Sequence, residues 1–119
     1  MSPRKAEACS TGSRAASATR IVPAELDLYE SMLKALANPI RLRMVDLIRQ
    51  RGGDVCVCEF GALFKLTQPT ISHHLKILRE SGLIVSRREG TWVHHSIDPR
   101  AFSRLEELMN LLSAAPIAS

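Results

Sequence analysis

Thr67-Gln68-Pro69-Thr70-Ile71-Ser72-His73-His74-Leu75-Lys76-Ile77-Leu78-Arg79-Glu80-Ser81 is the stretch around which this 119-residue chain is organised. Thr67 can accept a hydrogen bond from a free backbone N–H of a first helical turn, and Pro69 sits where its missing N–H leaves nothing unsatisfied. Gly82 can take the left-handed conformation that closes a helix, with Leu83 folding back on the last turn. Between these caps Ile71, Leu75 and Leu78 recur at helical spacing and form a stripe for burial. Gln68, Thr70, Ser72, His73, Lys76 and Arg79 fall outside that stripe. Amide, hydroxyl, imidazole and cationic groups on one helix suit the edges of base pairs and the phosphates beside them. The plainer alternative is a solvated helix face.

The totals agree with a small DNA-binding domain. A chain of 119 residues allows one compact domain, and 45% hydrophobic content is that of a globular protein. Aromatics make up only 4%, so an aliphatic core is expected. A net charge of +4 favours a polyanionic partner. No apolar run approaches the roughly 20 residues of a membrane span, and the Ser-, Ala- and Arg-rich first residues lack a secretory apolar block. A soluble, cytoplasmic protein with no membrane partner is therefore expected. Cys9, Cys56 and Cys58 are an odd number and do not make a disulfide framework, so they are expected to be thiols in a reducing compartment.

Working outward, residues 1–22 read as a flexible arm carrying Cys9, residues 23–113 as the folded domain and residues 114–119 as a frayed tail. Pro23 opens a helix over about 24–37, with Leu26, Tyr29, Leu33 and Leu36 on one face. Asn38-Pro39 caps a second helix containing Ile40, Leu42, Met44, Val45, Leu47 and Ile48, which Gly52-Gly53 ends. Asp54 is placed to cap a third, from Val55 to about Phe64. Its short link to the Gln68 helix makes a helix-turn-helix whose later helix is the reader. Beyond Gly82 the pattern becomes extended: Leu83 to Arg88, a turn at Glu89-Gly90, then Thr91 to Ile97, which predicts a hairpin. Asp98-Pro99 starts a last helix through about Leu112, with Phe102, Leu105, Leu108, Met109 and Leu112 apolar.

The order is α-α-α-α-β-β-α, a mainly α winged helix-turn-helix with a β-hairpin wing. Wide apolar faces on the first and last helices predict a homodimer through both. A two-fold dimer sets its reading helices roughly 34–36 Å apart and implies a near-palindromic double-stranded operator.

Residues 29–97 carry a resemblance. Lys34-Ala35-Leu36-Ala37-Asn38-Pro39-Ile40-Arg41-Leu42-Arg43, Cys56-Val57-Cys58-Glu59-Phe60, Gln68-Pro69-Thr70-Ile71-Ser72-His73-His74-Leu75-Lys76 and Arg87-Arg88-Glu89-Gly90-Thr91-Trp92-Val93 together resemble the ArsR/SmtB family of metal- and metalloid-responsive repressors. The resemblance implies a dimeric repressor, not an enzyme, that leaves its operator when an inducer binds. It places Gln68, Thr70, Ser72, His73, His74 and Lys76 at the DNA, with Arg87, Arg88 and Gly90 in the wing.

The cysteines bear on the inducer. At a helix start the positive end of the dipole lowers a thiol pKa, and soft thiolates select thiophilic ions. Similarity to the arsenic-sensing branch points to As(III) or Sb(III), with no organic cofactor. The alternative is a pair of small apolar core residues. On a regular helix residues two apart diverge by about 200°, so Cys56 and Cys58 are expected to grip one ion only if the helix unwinds. Relatives of that branch take a third thiolate from the position held here by Gly61, so Cys9 is the remaining candidate for a third ligand. None of the four histidines has a strong ligand spacing, and residues 99–112 contain no His, which argues against zinc sensing through the last helix. A repressor answering to Cd, Pb or Bi, or to thiol oxidation, stays open. A thiol-disulfide enzyme or metal carrier would leave the reader and the wing unexplained.

Overall fold

Proline, which a helix accommodates without loss only in its first turn, stands in the first two positions of four of the five helices among the described residues. The computed structural model describes residues 19–53 and 55–115. It contains α1 (Pro23–Leu36), α2 (Pro39–Arg51), α3 (Val57–Phe64), α4 (Gln68–Glu80), β1 (Ile84–Glu89), β2 (Trp92–Ile97) and α5 (Pro99–Ser113). This is the expected winged helix-turn-helix. The Asn38 side chain accepts from the Ile40 and Arg41 N–H groups at 2.9 and 3.1 Å. Thr67 accepts from Thr70 and Asp98 from Arg100. Gly82, at φ 87°, closes α4 and lets the Leu83 N–H donate to the Leu78 carbonyl at 3.2 Å.

The core joins α1, α2, α3, α4 and the base of the wing. Met32, Met44, Ile48, Val55, Ile71, Leu78, Leu83 and Ile84 are fully buried together with Phe60, and Tyr29 is the second aromatic in a largely aliphatic interior. The α1 face differs from expectation. Tyr29, Met32 and Ala35 are buried against α2 and α4, whereas Leu26 and Leu33 are exposed. On α5 the buried residues are Ala101, Leu105 and Leu108, leaving Met109 and Leu112 exposed. Each terminal helix thus has two apolar faces, and the intramolecular core covers one of them. Pattern alone cannot tell which.

Two boundaries shift. The third helix starts at Val57 rather than Val55, because Val55 forms an isolated antiparallel bridge with His95 and its backbone is committed to the wing. Cys56 caps the helix, and the expected cap Asp54 lies outside the described residues. The hairpin closes with Glu89 opposite Trp92, so its turn is Gly90-Thr91, one residue later than expected, with Gly90 at φ 62°. α3 ends on Lys65 in the left-handed region, and Lys65-Leu66-Thr67 is the whole link to the reader. Among the described residues no helix is long and apolar enough to cross a membrane.

Two substitutions calibrate this picture by urea unfolding. Phe60→Ala should cost about 3–5 kcal/mol, because it opens a cavity at the centre of the core. Asn38→Ala should cost about 1 kcal/mol through the lost cap. A Phe60→Ala protein as stable as wild type would contradict the central position of this ring.

Candidate nucleic-acid interface and cysteine pair

The reader divides as its pattern requires. Ile71, Leu75 and Leu78 are buried, while Gln68, Thr70, Ser72, His73, Lys76 and Arg79 are exposed along the opposite side of α4. Thr70 shares a hydroxyl–hydroxyl hydrogen bond of 3.0 Å with the cap residue Thr67. Lys76 lies 4.0 Å from Glu80 in an exposed pair, too weakly held to withdraw its charge from a partner.

His74 stands apart from this set. It is only 9% exposed and turned inward, where its Nδ1 lies 3.3 Å from the Arg41 Nη1. A guanidinium only donates, so Nδ1 is the acceptor and the neutral ring is the compatible form. Burial pushes the His74 pKa down, and the charges of Arg41 and His73 push it further the same way. Arg41 also donates through Nε to the Ala35 carbonyl at 2.7 Å and through Nη2 to the Lys34 carbonyl at 3.4 Å. One side chain on α2 therefore ties the end of α1 to the reader. Where the resemblance implied a residue facing the groove, the structure places a brace beneath the reader. His74 lies three residues after Ile71 and four before Leu78, on the edge of the buried stripe, and Arg41 of α2 meets it there.

In the wing, Arg87, Arg88 and Gly90 are exposed, as a contacting edge needs. Arg87 lies 3.5 Å from Glu89, and the His94 Nε2 lies 3.2 Å from the same carboxylate. His94 and His95, adjacent on β2, point to opposite faces, and His95 is a core residue, 3% exposed, with its Nδ1 2.9 Å from the Ser86 hydroxyl. Its Nε2 is buried with no hydrogen-bond partner among the described residues. Burial, then Arg79, then His94, lower its pKa.

The cysteines converge. Cys56 caps α3 with extended backbone (φ −104°, ψ 154°) and is not part of the helix, while Cys58 is in its first turn. The Cys58 N–H donates to the Cys56 sulfur at 3.1 Å, and the Cys56 N–H donates to the Glu59 carboxylate at 3.4 Å. Arg51 holds the other Glu59 oxygen at 2.9 Å. Where thiols were expected, the structure joins Cys56 and Cys58 in a disulfide, with Cα atoms 5.3 Å apart. The expected divergence of about 200° does not arise, because it applies only to two residues that are both helical. Unwinding of α3 is therefore not needed to bring the sulfurs together.

Gly61, one turn after Cys58, borders a cavity of about 210 Å³ that Val57, Cys58, Leu66, Gln68 and Ile71 also line. This cavity lies between the cysteine pair and the first residue of the reader. Among the described residues no cluster of three or more His, Cys, Asp or Glu side chains could hold a metal. Cys9, the candidate third sulfur, lies outside the described residues. As reduced thiols, Cys56 and Cys58 form a soft donor pair that fits a thiophilic ion and would serve Mg²⁺ or Ca²⁺ poorly. Sequence reading passed over Arg41 and Glu59. The Cys-x-x-Glu spacing does match a capping box, with a thiol in the place of a hydroxyl.

Comparisons with known proteins agree with this geometry. The family described as "Bacterial regulatory protein, arsR family" matches residues 38–86. An arsenic resistance transcriptional regulator of Pseudomonas putida is 46% identical over 68 residues, covering 57% of this chain and 52% of its own length. The chain thus spans about half of that relative. The arsenical resistance operon repressor of Bacillus subtilis is 39% identical over 85 residues, covering 71% of this chain and 74% of the repressor. Among solved structures, the homodimeric winged helix-turn-helix domain of a possible ArsR-family regulator from Mycobacterium bovis superposes with a TM-score of 0.61. It is 33% identical and covers 76% of this chain and 82% of its own.

The two buried imidazoles make stability depend on pH. Each has a native pKa below its ordinary value of 6.5, so between the two values the unfolded chain binds more protons than the folded one. The stabilisation is complete above about pH 6.5 and is lost as pH falls below it. The urea-unfolding free energy should therefore drop between about pH 7.5 and about pH 5.5, and drop less in His95→Gln. An unchanged pH dependence in that variant would exclude His95 as a source.

Proposed function

The chain belongs to the ArsR family of bacterial regulatory proteins, and on that premise we propose that it is a homodimeric repressor of a metalloid-resistance operon. It binds a near-palindromic operator with α4 in the major groove and the wing beside it. It lets go when As(III) or Sb(III) is held by the Cys56 and Cys58 thiolates. The observation that carries this reading is the convergence of the two sulfurs at the start of the helix that leads into the reader.

For DNA, support comes from the exposed set Gln68, Thr70, Ser72, His73 and Lys76 and from Arg87, Arg88 and Gly90 on the wing. For the dimer, it comes from the uncovered Leu26, Leu33, Met109 and Leu112 on α1 and α5, and from the homodimeric relative of the same fold. For the inducer, it comes from soft donors in a chain whose relatives are named for arsenic resistance. Trivalent arsenic accepts three sulfur ligands, and Cys9 is proposed as the third because Gly61 supplies none.

Release needs no unwinding of α3. Cys56 follows Val55, which is bridged to His95 on the wing, and Glu59 ties the same turn to Arg51 on α2. At its other end α3 runs through Lys65-Leu66-Thr67 into the reader. A small displacement of the Cys56–Cys58 turn thus reaches both DNA-contacting elements, and it changes their relative position where a rigid two-part contact tolerates little error. The disulfide favours a second reading, in which oxidation of the dithiol is itself the signal.

Operator release measured by anisotropy of labelled DNA, in a phosphine reductant, separates the readings. Wild type should release DNA with arsenite and show sulfur-to-arsenic charge-transfer absorbance. Cys56→Ser and Cys58→Ser should still bind DNA but need more than about tenfold more arsenite, and Cys9→Ser should be weakened less. Normal arsenite release by both single variants would end the thiolate reading. Release by diamide alone, added after the phosphine has been removed, would support the redox one, and release by Cd, Pb or Bi ions alone would change the inducer.

A further inference from the structure

The wing ends in an exposed aromatic that neither the dimer nor the cysteine site employs. Trp92, the only tryptophan in the chain, is 62% exposed. It is the first residue of β2, directly after the Gly90-Thr91 turn and opposite Glu89. The register assigns the two faces of the hairpin. Ile84, Ser86, Arg88, Val93, His95 and Ile97 share the face whose root is buried in the core. Trp92 shares the outward face with Val85, Arg87, Glu89 and His94. Most other exposed large apolar side chains lie on α1 and α5, where the proposed dimer would cover them. Trp92 and Val85, exposed on the hairpin at its tip and its root, lie on neither of those helices.

We propose that Trp92 is a DNA contact: its indole packs against the sugar edge and floor of the minor groove flanking the segment read by α4, adding affinity without charge. This rests on the reading of the chain as an operator-binding repressor. Three observations select DNA as the occupant. The wing follows α4 after only Ser81-Gly82-Leu83, so a reader seated in the major groove carries the hairpin tip to the adjacent backbone. The tip is basic through Arg87 and Arg88, and its one carboxylate, Glu89, is already held between Arg87 and His94. Gly90 leaves the first of the two turn positions without a side chain, so the backbone there can approach a groove closely. Indole suits such a site, with a flat apolar face for deoxyribose and a single N–H donor for the acceptors that line the minor groove. Apolar side chains are a recurrent means of occupying that groove.

Because Trp92 is the chain's sole tryptophan, its fluorescence reports this contact directly in the full-length dimer. A duplex of roughly 30 bp, long enough for two half-sites, is first selected from a random pool by the wild-type protein. Adding it should blue-shift the emission and shield Trp92 from acrylamide. Trp92→Ala should bind the duplex about tenfold more weakly, with the slope of log affinity against log salt unchanged, and Trp92→Phe should stay near wild type. Arg88→Ala, by contrast, should lower that slope by about one. Wild-type binding with unaltered Trp92 emission and quenching would overturn the proposal and leave the repressor reading intact, whatever the stability of the alanine variant. An emission shift that follows protein concentration without DNA would assign the face to a second copy and overturn it as well. Failure to select any duplex would overturn both readings.

Discussion

The backbone bridge between Val55 and His95 is the constraint on which the rest of the arrangement turns. It commits Val55 to the wing and so prevents α3 from starting where its apolar pattern begins. The next residue, Cys56, is left as the cap, with extended backbone and a sulfur that accepts from the Cys58 N–H in the first turn of the helix. From that one displacement follow the convergence of the two sulfurs, the capping role of Glu59 and the anchoring of that turn to Arg51. His95 sits behind the bridge, buried, with a nitrogen that has no hydrogen-bond partner among the described residues.

A second junction works on the far side of the reader. Arg41 donates to the Ala35 and Lys34 carbonyls near the end of α1 and meets the ring of His74 with the same guanidinium. The helix proposed to dimerise and the helix proposed to read DNA are thereby held at one side chain. In a symmetric dimer the distance between two readers depends on how rigidly each is set against its own dimerisation helix. The Lys65-Leu66-Thr67 link joins the start of α4 to α3 and the Arg41 junction meets its middle, so the reader is positioned by a polar contact as well as by Ile71, Leu75 and Leu78.

Much of the fold was legible in the order of residues, because its signals are local. Prolines and capping side chains mark helix starts within one turn, glycines mark their ends, and the change from helical to alternating pattern after Gly82 marks the wing. Errors arose where a partner distant in sequence decides. Leu26 and Leu33 have the same periodicity as Tyr29 and Met32, and only the position of α2 and α4 determines which pair is enclosed. His74 reads as a DNA contact, yet it is buried with its ring against Arg41, far back along the chain, and His95 is enclosed beside the bridge to Val55. Val55 looked helical because its commitment to the wing lies forty residues away, at His95.

By itself, then, the order of residues determined the number and type of elements, the reader's caps, its exposed polar set and the presence of two neighbouring cysteines, since each rests on interactions within a few residues. Tertiary structure alone decided which faces are covered, which histidines are braces, where α3 begins and whether its two sulfurs face one another. The physical reason is the same throughout: caps and turns are satisfied by neighbouring backbone, whereas burial and backbone bridging are settled by whichever distant segment arrives to fill the space.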